Sequence, residues 1–178
     1  AGTMGECVAL VRAVEKSNAI YCQGEDYQFM LFNQEMKRLY DGGTLGKLIY
    51  AEGEYNHPIG NDRYPYLKRL KPHAKHWRAW IPACYYVTHS LAPLMYMTGA
   101  TPKRICALPA LCADPKTPEN NKVGYYKVAE RAGIMTTIND DGSVFRFVGC
   151  SDWGFEENSY RLCCDKGQVE NIRGSSEI

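Results

Sequence analysis

Apolar residues recur every three to four positions in three stretches of the chain, the spacing of one face of an α-helix. The first stretch ends near residue 17, and the second runs from about residue 25 to the glycines at 42 and 43, which stop a helix. Their apolar positions are Cys7, Val8, Val11 and Val14 in the first and Phe29, Phe32, Met36, Leu39 and Tyr40 in the second. Residues 1–43 are therefore predicted to form two amphipathic helices, with a brief apolar strand over residues 19–22 between them.

The third helical stretch, predicted over residues 82–98, carries the candidate chemistry. Pro82 suits the first position of a helix, and Gly99 suits the left-handed residue just past its end. The expected buried stripe consists of Cys84, Val87, Leu91, Leu94 and Thr98. This stripe leaves Tyr85, Tyr86 and His89 together on a flank of the helix.

Pro93 interrupts this third helix one turn after His89. Proline has no amide hydrogen to donate to the carbonyl four residues earlier, and its ring crowds that carbonyl. We therefore expect the helix to bend near Pro93 and to leave a free polar group at His89.

Alternating or short apolar runs bounded by turn residues predict the β-strands. The strand candidates are residues 48–57, 101–109, about 131–139, 143–150, 158–165 and 168–172. Residues 139–142 and 165–167 have the composition of hairpin turns, so the strands on either side of each turn should be antiparallel neighbours. The predicted fold class is α+β, with an open, mostly antiparallel sheet and helices packed on one face.

Composition narrows the classes of partner. The chain has 178 residues, 45% of them hydrophobic, and a net charge of +1, so a sizeable core is expected without a general attraction to nucleic acid or acidic lipid. No apolar run is long enough to cross a membrane, and a cytoplasmic protein is expected. Residues 58–80 are locally basic and aromatic, a combination that suits nucleic acid, but a solvated loop or a contact with a cofactor or another domain is the favoured interpretation.

Eight cysteines are scattered through the chain without a Cys-x-x-Cys pair, so free, buried thiols are expected. No carboxylate or thiol is spaced to complete a metal site with His57, His73 or His76, and no metal is predicted. Residues 42–47 resemble a phosphate-binding loop, but Asp41 stands at the first glycine position and Leu48 at the serine or threonine position. A plain helix-to-strand turn is the better interpretation.

Several short motifs resemble the glucose-fructose oxidoreductase and inositol dehydrogenase family. They are Gly24-Glu25-Asp26-Tyr27, Gly43-x-x-Gly46, Tyr50-Ala51-Glu52-Gly53-Glu54-Tyr55, Tyr86-x-Thr88-His89 and Gly167-Gln168-Val169-Glu170-Asn171. The likeness covers nearly the whole chain and is to the family's C-terminal, substrate-binding domain. It implies that residues 1–24 are the end of a Rossmann domain, which holds NAD or NADP in the family. Residues 25–178 would then be a substrate-binding and oligomerisation domain that stops short at its C-terminus.

The resemblance also implies roles for particular residues. In such enzymes a histidine on the helix after the long loop acts near the sugar carbon that is oxidised, and His89 occupies that position. Tyr85 stands where an aspartate is common in the family. The implied sets are His89 and Tyr86 as catalytic residues, Trp77, Arg78, Tyr85 and His57 as substrate-binding residues, and Glu25 and Tyr27 near the cofactor.

Each assignment has a plainer alternative. An imidazole suits proton transfer because it titrates near neutral pH, but His89 could also be a core histidine bonded to a backbone carbonyl. Tyr85 and Tyr86 could serve packing alone, and Trp77 could anchor its own loop. Glu25 could cap the second helix.

The favoured function is that of a substrate-binding domain in an NAD(P)-dependent oxidoreductase acting on a sugar, a cyclitol or a sugar derivative, inactive without its cofactor domain. The run Tyr86-x-Thr88-His89 also resembles NAD-dependent glycoside hydrolases, which makes a redox glycosidase the alternative. A non-catalytic sugar-sensing or dimerisation domain is a third possibility. The expected partners are a sugar-like molecule, the Rossmann domain of the same chain, and a second copy bound through the sheet.

Overall fold

The computed structural model describes residues 3–57, 83–85, 87–111, 130–150 and 157–172. The helices are α1 (Met4–Glu15), α2 (Leu31–Asp41) and α3 (Thr88–Thr98), and two 3-10 turns cover Tyr27–Phe29 and Ala83–Tyr85. The strands are β1 (Leu48–Asn56), β2 (Pro102–Leu111), β3 (Glu130–Asn139), β4 (Val144–Cys150), β5 (Glu157–Cys164) and β6 (Gln168–Glu170). Among these described helices, none has the length and apolarity needed to cross a bilayer.

The six strands form one sheet in the order β2-β3-β4-β1-β5-β6. The β1–β4 pair is parallel and every other neighbouring pair is antiparallel. All six strands predicted from residue 48 onward are confirmed, with ends shifted by at most two residues. The strand predicted over residues 19–22 is wrong: this segment lies outside the sheet with Ile20 99% exposed, and an isolated apolar run has no ladder to join.

Helices α2 and α3 cover one face of the sheet, as predicted. The fully buried side chains on the covered face of the strands include Phe145, Phe147, Tyr160 and Leu162. They pack against Leu94 and Met97 of α3 and Met36 of α2. The core therefore lies between the middle of the sheet and α3, with α2 at its side.

The second helix begins later than predicted, at Leu31 instead of residue 25. Phe29 N–H and Met30 N–H donate to the carbonyls three residues back, which makes a 3-10 turn, and Met30 then adopts an extended ψ of 140°. The helix ends as predicted, and Gly43 takes a positive φ of 74°. Glu25 consequently lies in an irregular segment before the turn.

Helix α1 is confirmed, and a capping box between Thr3 and Glu6 starts it. None of its residues is buried, and its apolar Val8 and Val11 are 42% and 55% exposed. Free thiols are found, as predicted, at Cys7, Cys22, Cys106, Cys163 and Cys164, but the first three are exposed and not buried. Cys7 lies on helix α1 and Cys106 on the edge strand β2, and both side chains are exposed.

Gly53 lets α3 lie directly on β1. A Cβ atom at this position would overlap the backbone carbonyl oxygen of Ser90 and would lie 3.2 Å from Leu94 Cδ1. Ser90 and Leu94 are both fully buried. Only glycine allows this separation between strand and helix.

The opposite face of the sheet carries a charge network centred on Glu52 of β1. Glu52 accepts hydrogen bonds from Tyr50 Oη and Arg161 Nη2, both at 2.5 Å, and Arg146 Nη1 lies 3.5 Å from it. Burial by itself would raise the pKa of Glu52, but the Tyr50 hydrogen bond and the charges of Arg161 and Arg146 outweigh it and lower that pKa below its usual value. Burial and the neighbouring carboxylate raise the pKa of Tyr50 to about 12. Association of two copies through this face stays a prediction.

We expect Gly53→Ala to lower the free energy of unfolding by about 1–3 kcal/mol, because the new methyl group must push α3 away from β1. Chemical denaturation monitored by circular dichroism measures the change. Gly24→Ala is the matched control, since a Cβ at Gly24 meets no atom within 4 Å. Equal stability of the two variants would contradict the close packing of α3 on Gly53.

We expect Glu52→Gln to lower the free energy of unfolding by about 1 kcal/mol at neutral pH, a value reduced by the exposure of both arginines. Because the pKa of Glu52 is lowered in the folded protein, its ionised form stabilises the fold above the unfolded pKa, near 4.3. The difference between wild type and variant should be constant from about pH 6 to 7 and should shrink as the pH falls through the folded pKa. Denaturation at several pH values measures this; a difference that grows on acidification would rule out the assigned role.

Candidate active site

Helix α3 begins at Thr88 and not at residue 82, so the predicted start of the helix is wrong. Ala83–Tyr85 forms a separate 3-10 turn that packs on β3, where a Cβ at Gly133 would lie 2.5 Å from Cys84 Sγ. This contact holds the 3-10 turn on the sheet. The turn therefore does not continue helix α3. Pro82 and Tyr86 lie outside the described residues. The predicted end of the helix is confirmed, because Gly99 has a φ of 73°.

The buried face of α3 differs in part from the predicted stripe. Leu94 is buried as predicted, and Cys84, Val87 and Leu91 pack against the core while partly buried. Thr98 is only partly buried, and its hydroxyl donates to Leu94 O at 2.7 Å. The remaining buried positions of the helix are Ser90, Pro93 and Met97.

The carbonyl of His89 has the substitute partner that Pro93 makes necessary. Tyr160 of β5 donates its hydroxyl hydrogen to His89 O at 2.5 Å. Tyr160 is fully buried, and burial, together with the nearby Tyr27 and Glu25, raises its pKa, which keeps the hydroxyl protonated as a donor. The hydrogen bond fixes the first turn of α3 to the sheet, and with it the origin of the His89 side chain.

The imidazole of His89 is enclosed by groups from two other elements. Its Nδ1 lies 2.8 Å from Glu25 Oε1, and the two side chains are 16% and 12% exposed. The ring of Tyr27 stacks on the imidazole with centroids 3.9 Å apart, and Tyr55 of β1 meets it edge-on at 4.8 Å. His89 is therefore partly buried beside a carboxylate and two phenols, and not sealed among aliphatic side chains.

The segment that carries Glu25 is itself fixed. Glu25 Oε1 accepts a hydrogen bond from Tyr27 N–H at 3.3 Å, so part of the capping alternative is observed within the 3-10 turn. The carbonyl of Tyr27 accepts from Nδ2 of Asn33, a fully buried residue of α2, at 2.8 Å. Helix α2 thus holds the turn from which Glu25 and Tyr27 reach His89.

The structure brings together three of the predicted residues, Glu25, Tyr27 and His89. His57 lies next to them, since its ring stacks on that of Tyr55 with centroids 5.6 Å apart. Tyr85 is in the 3-10 turn before α3, 66% exposed, so the prediction that it shares a helix with His89 is wrong. The other three predicted residues, Trp77, Arg78 and Tyr86, lie outside the described residues.

Sequence reasoning missed Tyr55 and Tyr160 as parts of this site. The period-two alternation of β1 places Tyr55 on the same face as Ala51 and Gly53, so its direction could have been foreseen. Tyr160 could be found only by asking which strand residue serves the carbonyl that Pro93 frees. The spacing of motifs along the sequence does not by itself identify Tyr55 or Tyr160 as part of the site.

Chemically, the cluster offers an imidazole paired with a carboxylate, a combination that can accept and return a proton. Glu25, Asp26 and His89 also offer ligand atoms within 4.8 Å of one another and could hold a metal ion. The sequence search considered other histidines and missed this group.

The turn over residues 42–47 is unsuited to phosphate, because Lys47 N–H donates to Asp165 Oδ1 at 2.8 Å and a Cβ at Gly46 would overlap that carboxylate.

Comparison with known proteins gives a match in structure only. No protein-family model and no curated protein matches the sequence. Among solved structures, a probable dehydrogenase from Thermotoga maritima superposes with a TM-score of 0.73 at 15% identity, covering 98% of this chain and 48% of that chain. Aldose-aldose oxidoreductase from Caulobacter crescentus, complexed with glycerol, gives 0.67 at 20% identity, with 96% and 46% covered. Myo-inositol dehydrogenase from Lactobacillus casei, in complex with NAD(H) and myo-inositol, gives 0.65 at 12% identity, with 97% and 45% covered.

The fold is therefore that of one part of sugar and inositol dehydrogenases. The predicted resemblance to the glucose-fructose oxidoreductase and inositol dehydrogenase family is confirmed at the level of the fold. The chain spans about half the length of each of these proteins.

We expect Tyr160→Phe to lower the free energy of unfolding by about 1–3 kcal/mol, because the buried carbonyl of His89 loses its donor. Thermal and chemical denaturation measure the change. Tyr85→Phe removes a hydroxyl from an exposed tyrosine and should stay within about 0.5 kcal/mol of wild type. If both variants matched wild type, Tyr160 would not be the substitute partner.

Proposed function

We propose that this chain is the substrate-binding part of an NAD(P)-dependent oxidoreductase that oxidises a secondary alcohol of a sugar, a cyclitol or a sugar derivative. The observation that carries the proposal is the His89 imidazole, partly buried against Glu25 and Tyr27 at the start of α3. The fold supports it, since solved structures with the same fold include an inositol dehydrogenase bound to NAD(H) and myo-inositol.

His89 acts as the proton-transfer residue. Oxidation of an alcohol removes a hydride from carbon and a proton from oxygen, and the proton needs an acceptor within hydrogen-bond reach. His89 takes that proton from the hydroxyl and returns it in the reverse direction. Tyr86 assists it or binds a neighbouring hydroxyl, and Trp77, Arg78, Tyr85 and His57 surround the sugar.

The described residues fit the reacting end of the cofactor, and the turn over residues 42–47 does not fit its phosphates. Hydride transfer from an alcohol requires a proton acceptor, which His89 supplies. In the turn, the backbone N–H of Lys47 already donates to the carboxylate of Asp165. When bound, NAD or NADP accepts the hydride. A preceding Rossmann domain would hold its phosphates, with Glu25 and Tyr27 near the nicotinamide.

The same preceding domain would cover α1. Its apolar face is exposed although Val8 and Val11 lie side by side on it, as expected of a helix that packs on a sheet. In this proposal residues 1–24 belong to the Rossmann domain and residues 25–178 to the substrate domain. The protein would act in the cytoplasm and associate through the open face of the sheet.

We expect His89→Gln in the full-length protein to lower kcat about 10²- to 10⁴-fold with little change in KM, because the hydroxyl proton loses its acceptor. The assay measures NADH or NADPH formation with myo-inositol, scyllo-inositol and glucose as probes. Thermal denaturation confirms that the variant is folded.

Product analysis separates the proposal from its alternative. Net NADH formation supports a dehydrogenase, whereas release of a sugar from a glycoside without net NADH supports the redox glycosidase that the Tyr86-x-Thr88-His89 motif resembles. An unchanged kcat in His89→Gln means that another residue transfers the proton. Sugar binding without turnover by the wild type would favour a non-catalytic sensor.

A further inference from the structure

We propose that Glu25 is a positioning residue, which holds His89 in the tautomer that carries its hydrogen on Nδ1. Nε2 is then the basic atom that meets the substrate hydroxyl. The inference rests on the proposed function for its catalytic consequence, but the tautomer itself is a property of the protein without substrate.

The donor and acceptor chemistry of the contact fixes the tautomer. Glu25 Oε1 lies 2.8 Å from His89 Nδ1, within hydrogen-bond distance. An ionised carboxylate can only accept, so the hydrogen between the two atoms must be on the ring nitrogen. A neutral imidazole has one N–H, so its Nε2 carries the lone pair.

Burial makes the contact more than a surface ion pair. The side chains of His89 and Glu25 are 16% and 12% exposed, so water competes little for either group. When Nε2 takes a proton, the positive charge of the ring forms beside the carboxylate, as in other histidines oriented by an acidic residue.

Both partners are held so that the ring cannot turn away. Tyr27 stacks on the imidazole with an interplanar angle of 23°, and Tyr55 meets it at 61° from another side. The backbone N–H of Tyr27 bonds the same Glu25 oxygen, and Asn33 bonds the carbonyl of Tyr27. The ring plane, the carboxylate and the segment between them are therefore fixed by one set of contacts.

The carboxylate reaches His89 from outside α3. The residue four positions before His89 is Tyr85, which lies in the separate 3-10 turn and is largely exposed. Glu25 precedes His89 by 64 positions in sequence and arrives on the irregular segment before α2. Among the described residues it is the group that supplies a carboxylate oxygen within hydrogen-bond distance of the imidazole.

The test uses the full-length protein with 15N-labelled histidine and no substrate. The imidazole nitrogen resonances of His89, assigned by their loss in His89→Gln, report the tautomer at a pH where the ring is neutral. We expect the wild type to show hydrogen on Nδ1. Glu25→Gln, whose amide can also donate, should shift the population towards hydrogen on Nε2, whereas Glu35→Gln, a control on the exposed side of α2, should not.

Activity provides the second measurement. With whichever of myo-inositol, scyllo-inositol and glucose the wild type oxidises, Glu25→Gln should lower kcat about 10²- to 10⁴-fold and leave KM within about threefold. Glu25→Asp keeps an acceptor-only carboxylate and should retain at least about ten times the kcat of the Gln variant. Glu35→Gln should match wild type.

Several outcomes would overturn the inference. Hydrogen on Nε2 in the wild type does so even if Glu25→Gln fails to fold, and so does a tautomer that is unchanged in a folded Glu25→Gln. Loss of activity in EDTA, with recovery on adding Zn²⁺, would make Glu25, Asp26 and His89 a metal site instead. If His89→Gln is fully active while the tautomer shift is observed, the proposed role of His89 in proton transfer fails and the contact between Glu25 and His89 stands.

Discussion

The packing of α3 on the neighbouring strands β1 and β5 is the constraint on which the site depends. Gly53 of β1 brings the backbone of Ser90 into contact with the sheet, and Tyr160 of β5 bonds the carbonyl of His89. Together these two contacts fix the distance of the first turn of α3 from the sheet and its position along the helix axis. A helix displaced from the sheet would carry the imidazole away from Glu25, which is held independently by α2.

Many of the strands and helix ends could be predicted, because short stretches of sequence determine them. The strands follow from period-two alternation and turn residues, and Gly99 and Pro93 predict a left-handed helix end and a freed carbonyl. These inferences succeed because each depends on the chemistry of a few adjacent residues. The start of α3 was predicted wrongly, since Pro82 looks like a helix start in isolation. What separates the turn from the helix is the contact of Cys84 with Gly133, a residue of a distant strand.

The non-local features could not be predicted from periodicity. The parallel pairing of β1 with β4, in a sheet whose other neighbouring pairs are antiparallel, depends on how the whole chain folds. The partner of His89 belongs to the same category, because Glu25 is separated from it by 64 positions and lies in a segment predicted to be helical. The family resemblance placed Glu25 and His89 near the same site, but only the structure shows that they are in direct contact.

Two carboxylates of similar exposure show why the proposed proton-transfer site includes Glu25 and not Glu52. Glu52 and Glu25 have side chains 14% and 12% exposed, so burial does not distinguish them. Glu52 faces the guanidinium groups of Arg146 and Arg161, and these ion pairs stabilise the sheet. Glu25 faces an imidazole, a side chain that can act as a proton donor or acceptor. The same acidic group is therefore structural beside arginine and able to support proton transfer beside histidine.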